Sequence, residues 1–590
     1  MVADSDAQKS LSGCIWRAVP CDERQAEAIA QKYNLSSVVA TIIAERGIPL
    51  DSVPSFLEPK LQTLMPDPSV MNDVNKAAAK LAQAIIDNKK IGIIGDYDVD
   101  GATASSVLRL FLESVGIETV VHIPERDEGY GPSQLAFEKF SALGIDLVVT
   151  VDCGTAAFDI LTDATAKGFA VIVLDHHEAE VKLPDVYAVV NPKRLDEEND
   201  YPYLKYMAAV GVVFMTVVAI NRELRKLGFY QTHTEPQLLQ WLDLVALGTV
   251  CDVVPLIGLN RAFVKQGLKI MSQRGNIGIK ALMDISGVAE SPSAFHLGYV
   301  LGPRINAGGR VGDAFLGNQL LCSHSETEAA SIASKLNEFN TQRKDIENYV
   351  LTEAIEMIEK APSDYPIAFV AGKNWHQGVV GIVAGKLKER YNLPSFVMSI
   401  EEDEVKGSAR SIPLVDLGAL IISAKEKGIL TKGGGHTMAA GYSLNEDKIE
   451  EFRKFVGEYV KTKLGNETIT PVLEYDAAIS LSGATFDLAE SLSLLEPFGA
   501  GNSEPKLVIK NVRFKKAGII GSGHVRCFLS SDFGDSLKAI AFRAADNELG
   551  TVMLNAHNEV FDVLGTLRRD TWMGKSNVQF IIEDAKRVTQ

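Results

Sequence analysis

The chain has 590 residues, of which 46% are hydrophobic and 23% are charged. This length is too great for one hydrophobic core and indicates roughly three or four domains, and the balanced composition leaves little room for long disordered regions. The net charge of −17 argues against a uniformly basic nucleic-acid-binding surface, but a basic channel can exist on an acidic protein because the field depends on how charges are arranged.

Strands and helices are predicted to alternate between residues 91 and 190. Short apolar runs predict the strands, and amphipathic stretches predict the helices between them. The strands are expected at 91–94, 119–123, 147–151, 171–174 and 187–190, and the helices at 102–115, 133–143 and 156–167. This alternation predicts an α/β fold with a parallel sheet covered on both faces. A ligand of such a sheet lies beyond the carboxyl ends of its strands.

The remaining chain changes character several times. Residues 205–248 are helical in pattern, and residues 326–360 contain no proline or glycine, which predicts a long connecting helix. A second α/β region is expected near 366–465, and short β-type runs after residue 470 predict a small β-barrel. The expected division is an N-terminal extension 1–60, a first α/β domain 61–325, the connecting helix 326–361, a second α/β domain 362–468 and the barrel domain 469–590.

Carboxylate and imidazole side chains follow successive strands of the first predicted sheet. They are Asp96, Asp98 and Asp100 after strand 91–94, Asp152 after strand 147–151, and Asp175, His176 and His177 after strand 171–174. Asp252 lies in the apolar stretch 248–256, where an unpaired carboxylate would be costly. Taken singly, an Asp-x-Asp motif is usually a turn or a helix cap. Together these residues predict a site for Mn²⁺ or Mg²⁺, which accept carboxylate and imidazole ligands.

Four segments resemble the motifs of the DHH phosphoesterase superfamily, namely 96–101, 151–154, 175–177 and 248–256. Five more resemble, within that superfamily, the RecJ family of bacterial single-strand-specific 5′→3′ DNA exonucleases, namely 302–310, 375–381, 407–411, 433–436 and 494–499. The resemblance extends from about residue 60 to the end of the chain. Two departures are small: Gly308 stands where the family usually has alanine, and Asn374 where glycine is commoner. Neither removes a charged or ligand-type side chain.

The resemblance implies a DHH domain, a connecting helix, a DHH-associated domain and an OB-like barrel, with two divalent ions at the active site. The implied metal ligands are Asp98, Asp100, Asp152, His176 and Asp252. Asp152 is expected to bridge the two ions, and His177 to act on the scissile phosphate, with Asp96 and Asp175 in support. Implied substrate contacts are Arg126, Arg304, Asn306, Ser408, Arg410 and His436, of which Arg126, Ser408 and Arg410 would bind a 5′-phosphate. On the barrel, Arg568, Arg569 and Trp572 are the expected contacts.

The resemblance thus implies an enzyme that hydrolyses single-stranded DNA from its 5′ end in DNA repair and recombination. Two other interpretations stay open: a DHH enzyme acting on short oligonucleotides or cyclic dinucleotides, and a non-catalytic nucleic-acid-binding relative. Mn²⁺ is not distinguished from Mg²⁺, and RNA activity, a helicase partner and a single-strand-binding-protein partner are left open. We expect a cytoplasmic protein without membrane contact, because the six cysteines are scattered and the chain shows neither a secretory signal nor a long apolar run. A monomer is expected, although no residue pattern determines the oligomeric state.

Overall fold

The computed structural model describes residues 8–126, 128–361, 363–402, 404–465, 470–556, 558–570 and 577–588. Its strands are β1 (Ile15–Ala18), β2 (Ile91–Ile94), β3 (Thr119–His122), β4 (Leu147–Val151), β5 (Ala170–Leu174), β6 (Ala188–Val190), β7 (Ala368–Lys373), β8 (Ser395–Glu401), β9 (Glu404–Arg410), β10 (Lys432–His436), β11 (Ala439–Asn445), β12 (Val472–Tyr475), β13 (Ala477–Ile479), β14 (Leu507–Ile520), β15 (His524–Ser530), β16 (Ser536–Ala541), β17 (Phe561–Asp570) and β18 (Asn577–Arg587).

The helices of the first 320 residues are α1 (Glu23–Tyr33), α2 (Ser37–Glu45), α3 (Val53–Leu57), α4 (Leu61–Leu64), α5 (Val74–Ile86), α6 (Val99–Ser114), α7 (Gln134–Ala142), α8 (Phe158–Ala166), α9 (Ala209–Lys226), α10 (Leu242–Cys251), α11 (Gly258–Met271), α12 (Ile277–Ile285), α13 (Gly302–Val311) and α14 (Leu316–Leu321). Those that follow are α15 (Glu326–Lys360), α16 (Gln377–Tyr391), α17 (Leu417–Glu426), α18 (Ile449–Leu464), α19 (Phe486–Ser493) and α20 (Glu548–Asn555). No helix among the described residues is long and apolar enough to cross a membrane.

The chain divides into two compact units. The first unit comprises residues 1–124, 128–302 and 470–590, and the second comprises residues 125–127 and 303–469. The first unit contains a five-stranded sheet of order β3-β2-β4-β5-β6, in which every neighbouring pair is parallel. β2 and β4 are buried at every position, which explains their continuous apolar sequences. The predicted parallel-sheet α/β domain is confirmed, and the bounds of these two strands match the prediction.

The second unit is built on a five-stranded sheet of order β10-β11-β9-β8-β7, in which only β7 and β8 are parallel. The long helix α15 has the predicted bounds. It starts at the N-cap Ser325, whose side chain accepts a hydrogen bond from the backbone N–H of Glu328. It packs on α16, and Glu353 of α15 accepts a hydrogen bond from Trp375 Nε1 at 2.7 Å. The predicted second α/β region is therefore confirmed.

The C-terminal part of the first unit is a closed barrel of β14, β15, β16, β18 and β17, completed by the pairing of β14 with β17. Along β15 the side chains alternate between the interior and the surface, with Val525, Cys527 and Leu529 buried. This period of two is what a barrel strand requires. The predicted OB-like barrel is confirmed.

The N-terminal segment (residues 8–60), for which the sequence predicts no role, belongs to the first unit and packs on the barrel. β1 pairs in parallel with β12, so that Ile15 lies beside Val472. Side chains of α1 and α2, among them Ile29 and Ile42, belong to the same hydrophobic core as the barrel interior. The buried carboxylate of Asp584 accepts hydrogen bonds from Ser12 Oγ at 2.8 Å and Trp16 Nε1 at 2.9 Å. The segment therefore shares one core with strands more than 450 positions away.

Candidate metal centre

Carboxylates and imidazoles of the first unit meet where β2, β4 and β5 end. Three groups have potential ligand atoms within 4.8 Å of one another: Asp96, Asp98 and Asp152; Asp152, His176 and His177; and Asp100, His176 and Asp252. The structure thus brings together all five predicted metal ligands, along with Asp96 and His177. Because Asp152 and His176 each belong to two groups, the three groups form one continuous cluster.

The start of α6 places Asp98 and Asp100. Asp98 is the N-cap and accepts a hydrogen bond from the backbone N–H of Gly101 at 3.0 Å, so it has the capping role common for this motif as well as a place in the cluster. Asp100 is buried, and its two oxygens accept hydrogen bonds from the backbone N–H groups of Ala209 (2.6 Å) and Val210 (2.9 Å) at the start of α9. The N-termini of two helices therefore stabilise these carboxylates.

A strained turn after β4 presents Asp152. Its φ is 60°, a conformation uncommon for a residue with a side chain, and Gly154 follows with φ 114°. A Cβ at Gly154 would lie 2.6 Å from Thr150 Oγ1, so a larger residue does not fit there. The backbone N–H of Asp152 donates to the carbonyl of Leu174 at 3.0 Å, and the hydroxyl of Tyr130 donates to the Asp152 carbonyl at 2.9 Å. These contacts fix the turn and so orient the Asp152 carboxylate, which belongs to two of the three groups.

Asp175 holds the two histidines that follow it. Its buried carboxylate accepts hydrogen bonds from the His176 backbone N–H (2.7 Å), from His177 Nδ1 (2.7 Å) and from the backbone N–H of Thr155 (3.0 Å). Burial would raise the pKa of Asp175, but the hydrogen bond and charge of His177 outweigh it and keep that pKa well below its usual range. Burial likewise opposes the His177 cation, yet the hydrogen bond and charge of Asp175 raise the pKa of His177. His177 therefore holds a proton more readily than an exposed histidine.

His176 has the opposite electrostatic environment. Burial lowers its pKa, which favours the neutral imidazole that binds metals. Its Nδ1 lies 3.1 Å from the carbonyl of Met207, and its Nε2 lies 3.2 Å from Asp152 Oδ1 and 3.9 Å from Asp100 Oδ2. A hydrogen on Nδ1 that donates to the carbonyl would leave the Nε2 lone pair facing the two carboxylates.

Asp252 caps the end of α10, and the backbone around it is strained. Val253 has φ 60°, which is unfavourable for a β-branched residue. Four residues before Asp252, a Cβ at Gly248 would lie 2.2 Å from Thr103 Oγ1 and 2.9 Å from Asp100 Oδ1. The close approach of α10 to α6, which brings Asp252 to the cluster, therefore requires glycine at position 248.

The donor atoms fit divalent cations. Asp152 Oδ1 and Asp252 Oδ2 are buried and accept no hydrogen bond from the described residues. Burial and the charge of Asp98 raise the pKa of Asp252 to about 7, and burial and Asp252 raise that of Asp100 to about 7. Buried, unpaired carboxylates are costly, and a bound cation would remove that cost. A set of carboxylate oxygens with one imidazole is suited to Mn²⁺ or Mg²⁺.

Two features of the site differ from, or go beyond, the sequence-based expectation. Asp96 was expected to support its neighbours, but it contributes an atom to the group with Asp98 and Asp152, so the geometry makes it a candidate ligand. The buried amide of Asn191, which sequence reasoning missed, donates to Thr155 Oγ1 at 2.9 Å and to the His177 carbonyl at 2.8 Å. Asn191 directly follows β6, so its position at a strand end was the available signal.

All the predicted substrate-binding residues lie in the second unit, and two of them are in contact. These residues are Arg126, Arg304, Asn306, Ser408, Arg410 and His436. Arg410 Nη1 donates to Ser408 Oγ at 3.0 Å, and burial lowers the pKa of Arg410. No carboxylate oxygen of the described residues lies within 4 Å of its guanidinium. A Cβ at Gly381 would lie 3.1 Å from Ser408 Oγ and 3.2 Å from Arg410 Nη2, so the second turn of α16 lies against this pair.

The other four are placed separately. Arg126 Nε donates to the carbonyl of Gly309 at 2.5 Å, and Arg304 Nε donates to Asn337 Oδ1 at 3.0 Å. Asn306 is half-buried on α13. His436 is exposed on the edge strand β10, and the sheet register aligns it with Ala439, which in turn aligns with Arg410 on β9. His436 and Arg410 thus lie in one row across three strands.

The structure describes two of the three predicted nucleic-acid contacts on the barrel, and their surroundings differ. Arg568 of β17 forms a two-pronged ion pair with Glu504, with distances of 2.6 and 2.5 Å, so its charge is already neutralised. Arg569 is exposed on the same strand. Trp572 lies outside the described residues.

Comparison with known proteins gives the family. Protein-family models match at residues 90–249 (DHH family, N-terminal domain), 364–462 (DHHA1 domain) and 475–584 (RecJ OB domain). The single-stranded-DNA-specific exonuclease RecJ of Dickeya dadantii is 34% identical over 566 residues, which cover 93% of this chain and 96% of that protein. This chain belongs to the RecJ family. RecJ of Bacillus subtilis, with the same description, is 32% identical over 97% of this chain and 70% of its own length.

Solved structures agree with this membership. The crystal structure of RecJ from Thermus thermophilus in complex with Mn²⁺ superposes with a TM-score of 0.80 at 26% identity, and the match covers 98% of this chain and 80% of that one. A second structure of the same protein, in complex with Mg²⁺, superposes with a TM-score of 0.74. The RecJ fold of this chain thus has relatives crystallised with either ion, and both ions suit the donor atoms described above.

Proposed function

We propose that this chain is a metal-dependent exonuclease that digests single-stranded DNA in the 5′→3′ direction. The observation that carries the proposal is the cluster itself: in a chain of the RecJ family, every predicted ligand position holds an aspartate or a histidine, and these side chains converge at the strand ends. Relatives named single-stranded-DNA-specific exonuclease match more than 90% of the chain, including the barrel. The complete ligand set disfavours a binding-only relative.

We infer that the cluster holds two divalent ions, Mn²⁺ or Mg²⁺. One ion would be held by Asp96, Asp98 and Asp152. The other would be held by Asp100, His176 and Asp252, together with Asp152, whose Oδ1 lies 3.2 Å from His176 Nε2. When bound, such ions make water more acidic and stabilise the attacking and leaving oxygens of phosphoryl transfer. Asp152 would be shared, in line with its membership of two groups.

His177 would act on the phosphate. Asp175 engages Nδ1 and fixes the ring, while Nε2 lies 3.2 Å from the Tyr130 hydroxyl. The raised pKa of His177 lets it present a proton or a positive charge at Nε2 as negative charge develops on the phosphate oxygens. Asn191 supports the same ring by binding the His177 carbonyl.

The strand end would be recognised in the second unit. Arg410 and Ser408 present a fork of donors beside Gly381 in the second turn of α16. A half-buried guanidinium that no carboxylate oxygen of the described residues approaches within 4 Å is suited to a terminal phosphate. We include Arg126 in this 5′-phosphate pocket, and assign Arg304, Asn306 and His436 to the strand that follows.

The test of function is digestion of a single-stranded 30-mer labelled at either end, beside a duplex and a dinucleotide, with Mn²⁺ or with Mg²⁺. We expect release of nucleotides from the 5′ end of the single strand. Asp252→Asn should abolish it, whereas Asp243→Asn, which changes a buried acid of α10 outside the metal cluster, should retain it. Preference for the dinucleotide would instead support the oligonucleotide or cyclic-dinucleotide alternative, and digestion from the 3′ end would refute the direction.

The phosphate pocket has its own test. Arg410→Lys keeps the charge but removes the fork, and we expect roughly tenfold slower digestion of 5′-phosphorylated strands, corresponding to one lost charge-assisted hydrogen bond. Strands with a 5′-hydroxyl should be affected much less. Arg390→Lys is the matched control, because Arg390 is exposed and pairs with Glu359. Equal losses on both kinds of strand would contradict the pocket.

The wider role is proposed on the same basis. Single-strand digestion by this RecJ-family chain would serve DNA repair and recombination, with single-stranded DNA as its partner. The division into an extension (1–60), a catalytic domain (61–325), a connecting helix (326–361), a substrate-binding domain (362–468) and a nucleic-acid-binding barrel (469–590) is proposed with it. Arg569 and Trp572 remain the proposed barrel contacts, and Arg568 would first have to release Glu504.

A further inference from the structure

Arg261 is a fully buried cation whose hydrogen-bond acceptors among the described residues are all main-chain oxygens. It lies on α11, is 1% exposed, and its guanidinium packs 4.1 Å from the centre of the Phe56 ring. It donates to the carbonyls of Phe56 (2.8 Å), Leu495 (2.8 Å), Glu496 (2.9 Å) and Pro497 (3.3 Å). Among the described residues, no carboxylate oxygen lies within 4 Å of it. Because burying a charge without such a partner is costly, this arrangement demands a specific geometry from the carbonyls.

Three of these carbonyls belong to residues 495–503, which we call the junction segment because it leads from α19 towards the barrel. The segment is held to itself by Asn502, whose amide donates to the carbonyls of Leu495 (2.9 Å) and Pro497 (2.7 Å). Arg46 of the N-terminal segment donates to Asn502 Oδ1 and to the Ser503 carbonyl. The junction segment is therefore a fixed element and not a free linker.

The junction segment lies directly against the chain that follows Asp252. The backbone N–H of Leu256 donates to the carbonyl of Ala500 at 2.7 Å. A Cβ at Gly499 would lie 2.7 Å from Leu256 Cδ1. Asn260, next to Arg261, donates to the carbonyl of Pro255 at 3.0 Å. Residues 253–256 are thus held by contacts with both α11 and the junction segment.

These contacts explain how the strained backbone of Val253, beside the metal cluster, persists. Val253 has φ 60° and is 71% exposed, so its own side chain packs too little to impose that conformation. A strained residue remains in place only when its surroundings determine it. The contacts to Pro255 and Leu256 supply that restraint two and three residues away. The same restraint fixes the direction in which Asp252 leaves α10.

We propose that Arg261 is a positioning residue that holds the junction segment against residues 253–256 and thereby sets the placement of Asp252 in the metal cluster. The junction segment then contributes to metal affinity, although none of its side chains belongs to the metal cluster. This inference rests on the proposed function in taking Asp252 as a metal ligand.

The experiment measures Mn²⁺ binding to the full chain by calorimetry and by the electron paramagnetic resonance signal of free Mn²⁺. Gly499→Ala pushes on Leu256 without touching the cluster, and Gly518→Ala is its control, because a Cβ there meets nothing within 4 Å. Arg261→Lys removes the planar guanidinium, and its control Arg222→Lys changes a partly exposed arginine that pairs with Asp67. We expect Gly499→Ala and Arg261→Lys to weaken Mn²⁺ binding about three- to tenfold, which lies within the range of couplings carried through packed elements, and both controls to leave it unchanged.

Thermal unfolding of each variant separates positioning from stability. If Gly499→Ala or Arg261→Lys lowers the unfolding temperature while Mn²⁺ binding stays at the wild-type value, the inference is overturned and Arg261 is a structural residue only. Gly499→Ala keeps the test decisive if Arg261→Lys fails to fold. A wild-type chain that binds Mn²⁺ but digests no single strand would refute the proposed function. The Mn²⁺ affinities of the variants and their controls could still be compared. A wild-type chain that binds no Mn²⁺ would overturn both.

Discussion

Alanine at Gly248 tests whether the approach of α10 to α6 sets the geometry of the metal cluster. The added Cβ would lie 2.2 Å from Thr103 Oγ1, 2.8 Å from Val210 Cγ1 and 2.9 Å from Asp100 Oδ1. All three neighbours are buried. Asp100 is also tied by both oxygens to the start of α9. The methyl group therefore cannot be accommodated by rotation of a surface side chain.

The size of the effect follows from these distances. A methyl carbon needs roughly 3.5 Å to a neighbouring heavy atom, so Thr103 must yield by about 1 Å and Asp100 by about half that. Overpacking costs about 1–3 kcal/mol, and up to about 1 kcal/mol is offset because alanine favours the helix more than glycine does. A misplacement of about 1 Å at a reacting group costs on the order of 100-fold in rate, so about half that shift at Asp100, a proposed metal ligand, should cost on the order of 10-fold. We expect about 1–2 kcal/mol of lost stability and roughly a tenfold lower kcat/KM.

The assay is digestion of a 5′-labelled single strand with Mn²⁺, beside thermal unfolding followed by circular dichroism. Gly385→Ala is the control, since it lies on α16 and a Cβ there meets nothing within 4 Å. That variant should keep full activity and gain slightly in stability. Wild-type turnover of Gly248→Ala would show that the closeness of the two helices does not position Asp100.

Three further changes have expected outcomes. Asp175→Asn should lower the pKa of His177, since Asp175 raises it, and should cut activity roughly 10- to 100-fold; an unchanged pH profile would disprove that coupling. Burial and Asp476 raise the pKa of Glu45 to about 8, so its contribution to stability is present below pH 4.5 and is lost as pH rises through 8. Glu45→Gln should therefore raise the unfolding temperature at pH 8 more than at pH 5, and equal shifts at both would contradict this. Asp584→Ala should cost about 2–4 kcal/mol in urea unfolding, because it leaves the Trp16 N–H without its acceptor; a loss below about 1 kcal/mol would contradict it.

Local signals account for the parts of the fold that the sequence predicts well. β2 and β4 are buried on both faces, so each is one uninterrupted apolar run whose ends are sharp. α15 has an N-cap, an acidic first turn and no helix breaker. α6 begins at Val99, three residues before its predicted start, because Asp98 caps it. The cluster could be anticipated because each of its residues but Asp252 follows a strand of one parallel sheet.

Contacts between distant positions account for what could not be predicted. The pairing of β1 with β12 joins segments 457 positions apart (Ile15 and Val472). Neither sequence contains a feature that identifies the other as its partner. The same holds for the ion pair of Arg568 with Glu504 and for the carbonyls around Arg261. The place of Asp96 among the candidate ligands depends on the fold of its backbone over the start of α6, where a Cβ at Gly101 would lie 2.4 Å from the Asp96 carbonyl.

The shared core of the N-terminal helices and the barrel also has a consequence for synthesis of the chain. Ile29 and Ile42 pack with Phe561 and Phe580 in a single hydrophobic cluster. A ribosome making roughly 5–20 residues per second takes on the order of half a minute or more to advance from the first pair to the second. Throughout that interval the apolar faces of α1 and α2 lack their native partners in the barrel, and they are the surfaces on which a chaperone would act.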